Sequence, residues 1–307
     1  MKSINDFLNK RVVEKLKITK DNISVNQQPT TRGELVNYLQ TIINDTDNDF
    51  VDLTNIDCSN IDDLSDIFPI LDVPSYIKKI DVTGWEVSNV TNFDNMFGSL
   101  YFIEEIIGLD TWDMSSALTI NSMFYKCLKL KKIDLGNWKL DKIGTGTGVS
   151  ETSLSNIFSH CENLEEINGM ENWDLSRITR VNLVFWGCYK LKKVNISNWN
   201  LSSCRSMNYL FGKCSDLEEV DISNIKFTNY FRKFTRIFEG CVTLHTIKGI
   251  ENLYVKNITD LSSAFRDCKN LKADISKWSI PIFCTITCAF MHTNGKIFKK
   301  PDIFKKK

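Results

Sequence analysis

The sequence predicts an α/β solenoid of about nine stacked rungs, because one short pattern recurs along most of the chain. In its fullest copies a phenylalanine is followed by cysteine three positions later and by leucine six positions later. The phenylalanines are separated by 29, 27, 34, 27, 26, 27, 27 and 25 residues, a period typical of stacked repeats. They are Phe68, Phe97, Phe124, Phe158, Phe185, Phe211, Phe238, Phe265 and Phe290. Each unit can bury its apolar side only against its neighbours, so the repeats predict one elongated body.

A tryptophan, replaced once by leucine, precedes the phenylalanine by twelve positions in six units. The pairs are Trp85/Phe97, Trp112/Phe124, Trp173/Phe185, Trp199/Phe211, Leu253/Phe265 and Trp278/Phe290. With this spacing, residues 80 to 97 resemble the unit of the BspA-type leucine-rich repeats, a domain of unknown function in mycoplasma and Bacteroidetes surface proteins. The resemblance covers roughly residues 50 to 293. It implies a curved leucine-rich-repeat-like solenoid that binds proteins on another surface, and it implies no chemistry.

The two ends of the chain differ from the repeats. Residues 1 to 20 carry apolar side chains at helical spacing and are interpreted as a leader or docking segment. This leader resembles those of crAss-like phage proteins of gut Bacteroidetes. Residues 21 to 49 are read as a linker and a helical N-cap, opened by Thr31 and continued by Leu35, Leu39 and Ile43. Residues 50 to 293 form the predicted solenoid, and residues 294 to 307 form a basic tail.

The net charge and the apolar segments of the sequence limit the partners and locations that we expect. Lysine plus arginine and aspartate plus glutamate both number 38, so net charge gives no reason to expect nucleic acid as a partner. Residues 1 to 20 lack the apolar core of a signal peptide, and no apolar run is long enough to cross a bilayer. We therefore expect a cytoplasmic or virion location without membrane insertion. A protein partner is expected, and the alternatives are a virion-associated phage protein and a secreted surface adhesin.

The ten cysteines invite a disulfide or zinc interpretation, which the repeat argues against. Six of them share the slot three residues after the phenylalanine, where other units carry Leu71 and Leu100: Cys127, Cys161, Cys188, Cys214, Cys241 and Cys268. A slot that accepts leucine predicts buried, reduced thiols. The remaining pair Cys284 and Cys288 lacks further ligands for zinc. The tryptophan slot also accepts apolar residues, which favours core positions over a sugar-binding stack.

Paired charges alternate in sign from one unit to the next. Seven and eight residues after the phenylalanine they are Glu104-Glu105, Lys131-Lys132, Glu165-Glu166, Lys192-Lys193 and Glu218-Glu219, and Lys78-Lys79 take the corresponding place in the preceding, slightly longer unit. On stacked parallel strands, each acidic pair would lie between two basic pairs. Such cross-strand pairs contribute about 0.2 to 1 kcal/mol each, so the alternation predicts a fixed register.

An eight-residue insertion interrupts the repeat between Trp138 and Phe158, around Gly144, Thr145, Gly146, Thr147 and Gly148. Insertions in repeat proteins often lie on the binding face, so these five residues are the predicted contact site. No lysine and serine or threonine follow them as in a phosphate loop. No catalytic or metal-ligand motif is found, and we expect a non-enzymatic protein without a cofactor.

Overall fold

The computed structural model describes residues 27–136, 138–145, 152–171, 173–225, 227–253, 255–294, 298–299 and 301. Within them the chain forms a parallel solenoid with one short strand per turn, which confirms the predicted fold class. The strands are β1 (Phe50–Asp52), β2 (Lys79–Asp81), β3 (Glu105–Ile107), β4 (Lys132–Asp134), β5 (Glu166–Asn168), β6 (Lys193–Asn195), β7 (Glu219–Asp221), β8 (Thr246–Lys248), β9 (Ala273–Asp274) and β10 (Phe298–Lys299). We call the surface formed by these strands the strand face.

The strands pair in chain order and in parallel. They form sheets β1-β2-β3, β4-β5, β6-β7-β8 and β9-β10. Equivalent repeat positions face each other, as in the pairs Ile80↔Ile106 and Val194↔Val220. In β2 to β7 the central residue points inward, so the first residue, a lysine or a glutamate, points outward.

A second parallel ladder runs along another side of each rung. It consists of single bridges five residues before the core phenylalanine, in the series Asp63↔Asn92↔Thr119 and Ser153↔Arg180↔Ser206↔Lys233↔Asp260↔Thr285. Its hydrogen bonds continue past the phenylalanine, since Phe185 N donates to Leu210 O at 2.9 Å and Gly187 N to Gly212 O at 2.9 Å. We call this surface the bridge face and define it by residues six before to two after each core phenylalanine.

The core is built from columns of like side chains. The nine repeat phenylalanines are buried and stack along the solenoid with ring centroids 4.9 to 5.9 Å apart. The tryptophans form a second column. The indole N–H groups of five of them donate to a carbonyl of the preceding rung, as Trp138 does to Leu109 O at 2.7 Å, whereas Trp173 Nε1 is buried without a partner among the described residues. Leu253 and Ile225 are also buried. The tryptophans are therefore core residues, as predicted.

The six repeat cysteines are fully buried, and each also makes a hydrogen bond to the preceding rung. Their Sγ atoms lie 3.0 to 3.1 Å from the carbonyl oxygen of a core phenylalanine. In one example, Cys214 Sγ donates to Phe185 O at 3.0 Å. Burial was predicted from the leucine found in other rungs. The hydrogen bond was not, because leucine offers no donor.

Eight of the nine core phenylalanines are flanked by two residues in the left-handed region, and Phe68 has one such neighbour, Asp66. Among the described residues, all fifteen non-glycine residues with positive φ lie two positions before or two after a core phenylalanine, among them Leu183 (φ 59°) and Lys213 (φ 62°). Gly187 and Gly240 occupy the later position in two rungs, with φ of 76° and 78°. A left-handed residue other than glycine costs about 1–2 kcal/mol. The regular ladder repeats this cost because the two bends carry the chain around the phenylalanine.

The first rung is covered by helix α1 (Arg32–Asp45), which begins where the sequence predicts it. Thr31 caps the helix, since its hydroxyl accepts from Glu34 N at 3.2 Å. Leu35, Leu39 and Ile43 are buried in the common core. The predicted leader at residues 1 to 20 lies outside the described residues. At the other end, β10 pairs with β9, so the parallel ladder continues beyond residue 293.

Candidate binding surfaces

The predicted contact site at the insertion is only partly described, since Gly146, Thr147 and Gly148 lie outside the described residues. Gly144 N donates to Leu118 O at 2.9 Å. Its φ is 72°, and a Cβ there would lie 3.1 Å from Ile178 Cδ1 and from Thr152 Cβ. Gly144 therefore lies beside Leu118 and Thr152, the first residues of the bridge face in their rungs. The role of the insertion in binding stays a prediction.

The alternating charges lie on the strand face in the predicted register. Lys79, Lys132 and Lys193 are directly opposite Glu105, Glu166 and Glu219. Lys79 Nζ lies 2.9 Å from Glu105 Oε2, Lys132 Nζ lies 2.9 Å from Glu166 Oε2, and Lys131 Nζ lies 2.6 Å from Glu104 Oε2. Lys248 takes over after the pattern ends and pairs with Glu219.

These ion pairs shape the electrostatics of the strand face. The hydrogen bond to Lys132 lowers the pKa of Glu166, and the bond to Glu166 raises the pKa of Lys132. Both groups are solvent-exposed, where such pairs contribute little to stability. A groove of about 790 Å³ lies along β5 to β8 and is lined by both signs of charge. The strand face thus offers no single-sign patch to a charged partner.

The bridge face contains a polar ladder three residues before each phenylalanine. Asn182 Oδ1 accepts from Asn208 N at 2.9 Å, and Asn208 Oδ1 accepts from Thr235 N at 3.1 Å. Asn121 Oδ1 likewise accepts from Ser155 N at 2.9 Å. In these three rungs the amide links the rung to the next one. This ladder was hard to predict from the sequence, because serine and threonine fill the same slot in other rungs.

Asp94 occupies the slot of these asparagines. Its Oδ1 accepts from Thr119 Oγ1 at 2.5 Å and from Asn121 N at 2.6 Å. Burial nevertheless raises the pKa of the Asp94 carboxyl, and the nearby Asp66 adds to the effect. A charge is thus held where the other rungs carry a neutral amide or hydroxyl.

Aromatic and cationic side chains cover the bridge face in the middle of the solenoid. Trp186 packs edge to face against Tyr209 with ring centroids 4.9 Å apart. Lys213 Nζ lies 5.0 Å from the centre of the Trp186 ring, and the Arg236 guanidinium lies 5.5 Å from that of Tyr209. Burial lowers the pKa of His160, which packs against Tyr125 in an adjacent rung at 6.2 Å. We call Tyr125, His160, Trp186, Tyr209, Lys213 and Arg236 the aromatic strip.

Charge on this face changes from one end to the other. The rung of Phe68 carries Asp62, Asp63 and Asp66 without a lysine or arginine from eight residues before to two after the phenylalanine. The same windows in the rungs of Phe185, Phe211 and Phe238 hold seven cations and one carboxylate, Glu239: Arg177, Arg180, Arg205, Lys213, Arg232, Lys233 and Arg236. Sequence reasoning missed this set, although arginine is absent from residues 33 to 176.

Histidine, cysteine and acidic side chains are the residues that could hold a metal within the described part of the chain. Among the described residues, no group of three or more histidine, cysteine or acidic side chains is arranged to hold a metal. Cys284 is buried, whereas Cys288 is exposed. His292 Nδ1 lies 2.6 Å from Asp267 Oδ1 at the surface. Within the described part of the chain, no helix is long and apolar enough to cross a membrane.

Comparison with known proteins places the repeat in context. The model of the family described as "Mycoplasma protein of unknown function, DUF285" matches residues 37–149, 152–278 and 232–303. No curated protein sequence matches the chain.

Three solved structures share the repeat architecture. A leucine-rich repeat protein from Bacteroides ovatus ATCC 8483 is 17% identical and covers 69% of this chain and 74% of its own, with a TM-score of 0.29. One from Eubacterium ventriosum ATCC 27560 is 15% identical and covers 80% and 82%, with a TM-score of 0.28. A leucine rich cell surface protein from Faecalibacterium prausnitzii A2-165 is 15% identical and covers 81% and 78%, with a TM-score of 0.24. At these scores the similarity supports no functional assignment.

Proposed function

The chain belongs to the DUF285 family, and we propose that it is a non-enzymatic, protein-binding solenoid that uses its bridge face. The observation that carries the proposal is the aromatic strip. Interfaces are enriched in tryptophan, tyrosine and arginine, and these residue types supply most binding hot spots. Here they occupy outward positions of successive rungs, where the rung of Phe97 carries only Asn95, Gly98 and Ser99.

The strip is also held in place, which favours binding. Tyr209 and Lys213 lie in the left-handed region. Their backbone is held by hydrogen bonds to the next rung, from Tyr209 N to Thr235 O and from Lys213 N to Glu239 O. Arg236 is oriented by Glu239, at 3.2 Å, as well as by the Tyr209 ring. Side chains that are ordered before binding lose less conformational entropy when a partner docks.

Site-specific photo-cross-linking in the native source tests the proposal. A benzoylphenylalanine at position 209 is expected to form an adduct with a discrete polypeptide, because it replaces one aromatic residue of the strip by another. The matched control carries the same group at position 193, on the strand face. Adducts from position 193 alone, or from neither position, would overturn the proposed binding face.

The setting of this binding is part of the proposal. A cytoplasmic or virion-associated protein would meet its partner inside the cell or the particle, whereas a secreted adhesin would meet it on another surface. Immunogold labelling of intact and permeabilised cells separates these settings, because only an adhesin is labelled without permeabilisation.

A further inference from the structure

We propose that the bridge face of the rungs built on Phe185, Phe211 and Phe238 docks a short acidic segment of a partner protein. The proposal rests on the protein-binding function above and names the chemistry of the partner. We call its site the basic patch and define it by six of the seven cations given above, because Arg177 precedes the bridge face by two residues. The six are Arg180, Arg205, Lys213, Arg232, Lys233 and Arg236.

The positive charges of the basic patch have fewer carboxylate partners than those of the strand face. On the strand face, lysines face glutamates of the next rung. On the basic patch, two cationic residues of neighbouring rungs lie next to each other, since Lys233 N donates to Arg205 O at 3.0 Å. Both side chains are exposed, and among the described residues neither has a carboxylate within 4.0 Å. Like charges on neighbouring rungs repel, and bound carboxylates would relieve this repulsion.

The one acidic residue inside the patch is already paired. Glu239 is nearly buried and lies 3.2 Å from Arg236 Nη1 and 3.4 Å from Arg266 Nη1. The Glu239 carboxylate therefore pairs with two arginines and orients them. The exposed Arg205 and Lys233 remain available to a ligand, and arginine in particular matches the two oxygens of a carboxylate with a planar, bidentate donor set.

The size and surroundings of the patch favour an acidic protein segment over nucleic acid. Three stacked rungs span only about 10 Å at the usual spacing of parallel strands. A long polyanion that extended further along the bridge face would meet Asp62, Asp63 and Asp66 at its acidic end. The rings of Trp186 and Tyr209 are covered by Lys213 and Arg236, which leaves them poorly placed to stack on bases.

Fluorescence polarisation with a labelled oligo-aspartate peptide tests the proposal on the full chain. The test variant carries Arg205→Ala, Lys213→Ala and Lys233→Ala, all at exposed positions. The control variant carries Lys79→Ala, Lys132→Ala and Lys193→Ala, which removes the same charge from the strand face. We expect the wild type and the control to bind alike and the test variant to bind about tenfold more weakly, or about 1.4 kcal/mol. Binding should weaken with added salt.

The other outcomes overturn the proposal. Equal losses in both variants would mean that the peptide senses net charge and not the basic patch. Tighter binding of an oligothymidylate of matched charge would identify a nucleic-acid surface. If the wild type and the control form a concentration-dependent dimer and the test variant does not, the partner would be a second copy of this chain. If the peptide fails to bind while position 209 still cross-links a polypeptide, the acidic partner is wrong and the proposed function stands.

Discussion

Truncation of Phe185 to alanine measures how strongly the phenylalanine column holds the rungs together. The side chain is fully buried, and its ring centroid lies 5.9 Å from Phe158, 5.2 Å from Phe211 and 6.4 Å from Trp199. Removing a buried phenyl ring costs about 3–5 kcal/mol. Stacked aromatic pairs add about 0.5–1.5 kcal/mol each, and three of them are lost here. We therefore expect a loss near the upper end of that range.

Urea unfolding followed by circular dichroism provides the free energy of unfolding. The matched control is Phe283→Ala, because Phe283 is 70% exposed in the last rung and surface changes are usually within about 0.5 kcal/mol. Each rung contacts only its neighbours, so hydrogen exchange should accelerate first in the rungs of Phe158, Phe185 and Phe211. A loss below about 1 kcal/mol for Phe185→Ala, or an equal loss for Phe283→Ala, would contradict the stacked core.

Three further predictions follow from the core, the polar ladder and the leader. Cys214→Ser should destabilise the protein more than Cys214→Val in the same unfolding assay, because serine is the more polar residue at a fully buried site. Thiol titration of the native wild type should find Cys288 reactive at once, whereas the full set of ten thiols should react only in denaturant. Elemental analysis should find no zinc. Asp94→Asn should stabilise the protein at neutral pH: burial raises the folded pKa, so the wild type loses stability as pH rises from the ordinary value of 3.8 through that pKa, and an equal pH profile for the variant would refute this. Deletion of residues 2 to 20 should leave the melting temperature, measured by calorimetry, almost unchanged and abolish association with the native partner, whereas a large drop would make the leader part of the fold.

The sequence predicted the fold because burial is periodic. The spacing from Phe124 to Cys127 repeats, and the alternating pairs such as Lys132 and Glu166 determine which strands meet. Thr31 was enough to place the start of α1. In these cases one residue type recurs at one position, and its chemistry has a single structural meaning.

The bridge face could not be predicted in the same way. Its left-handed positions hold residues as different as Leu183, Lys213 and His160, so no residue type marks them. The hydrogen bond from Cys214 to Phe185 O is invisible to a pattern that records only burial. The basic patch had a visible signal in the uneven distribution of arginine, but its position on one face needed the second ladder. The contact site at Gly144 to Gly148 stays a prediction.

The alternating charges of the strand face also restrict how the array can change length. Loss of the single rung that carries β4 would place Glu105 opposite Glu166. Only this junction would bring like charges together, because the later strands would keep their present neighbours. Loss of both β4 and β5 would instead place Glu105 opposite Lys193 and restore attraction. A like-charged junction is destabilising by an amount similar to the gain from an opposite pair, about 0.2 to 1 kcal/mol. Between β2 and β7 the solenoid is therefore expected to tolerate duplication or deletion of rungs in even numbers better than in odd ones.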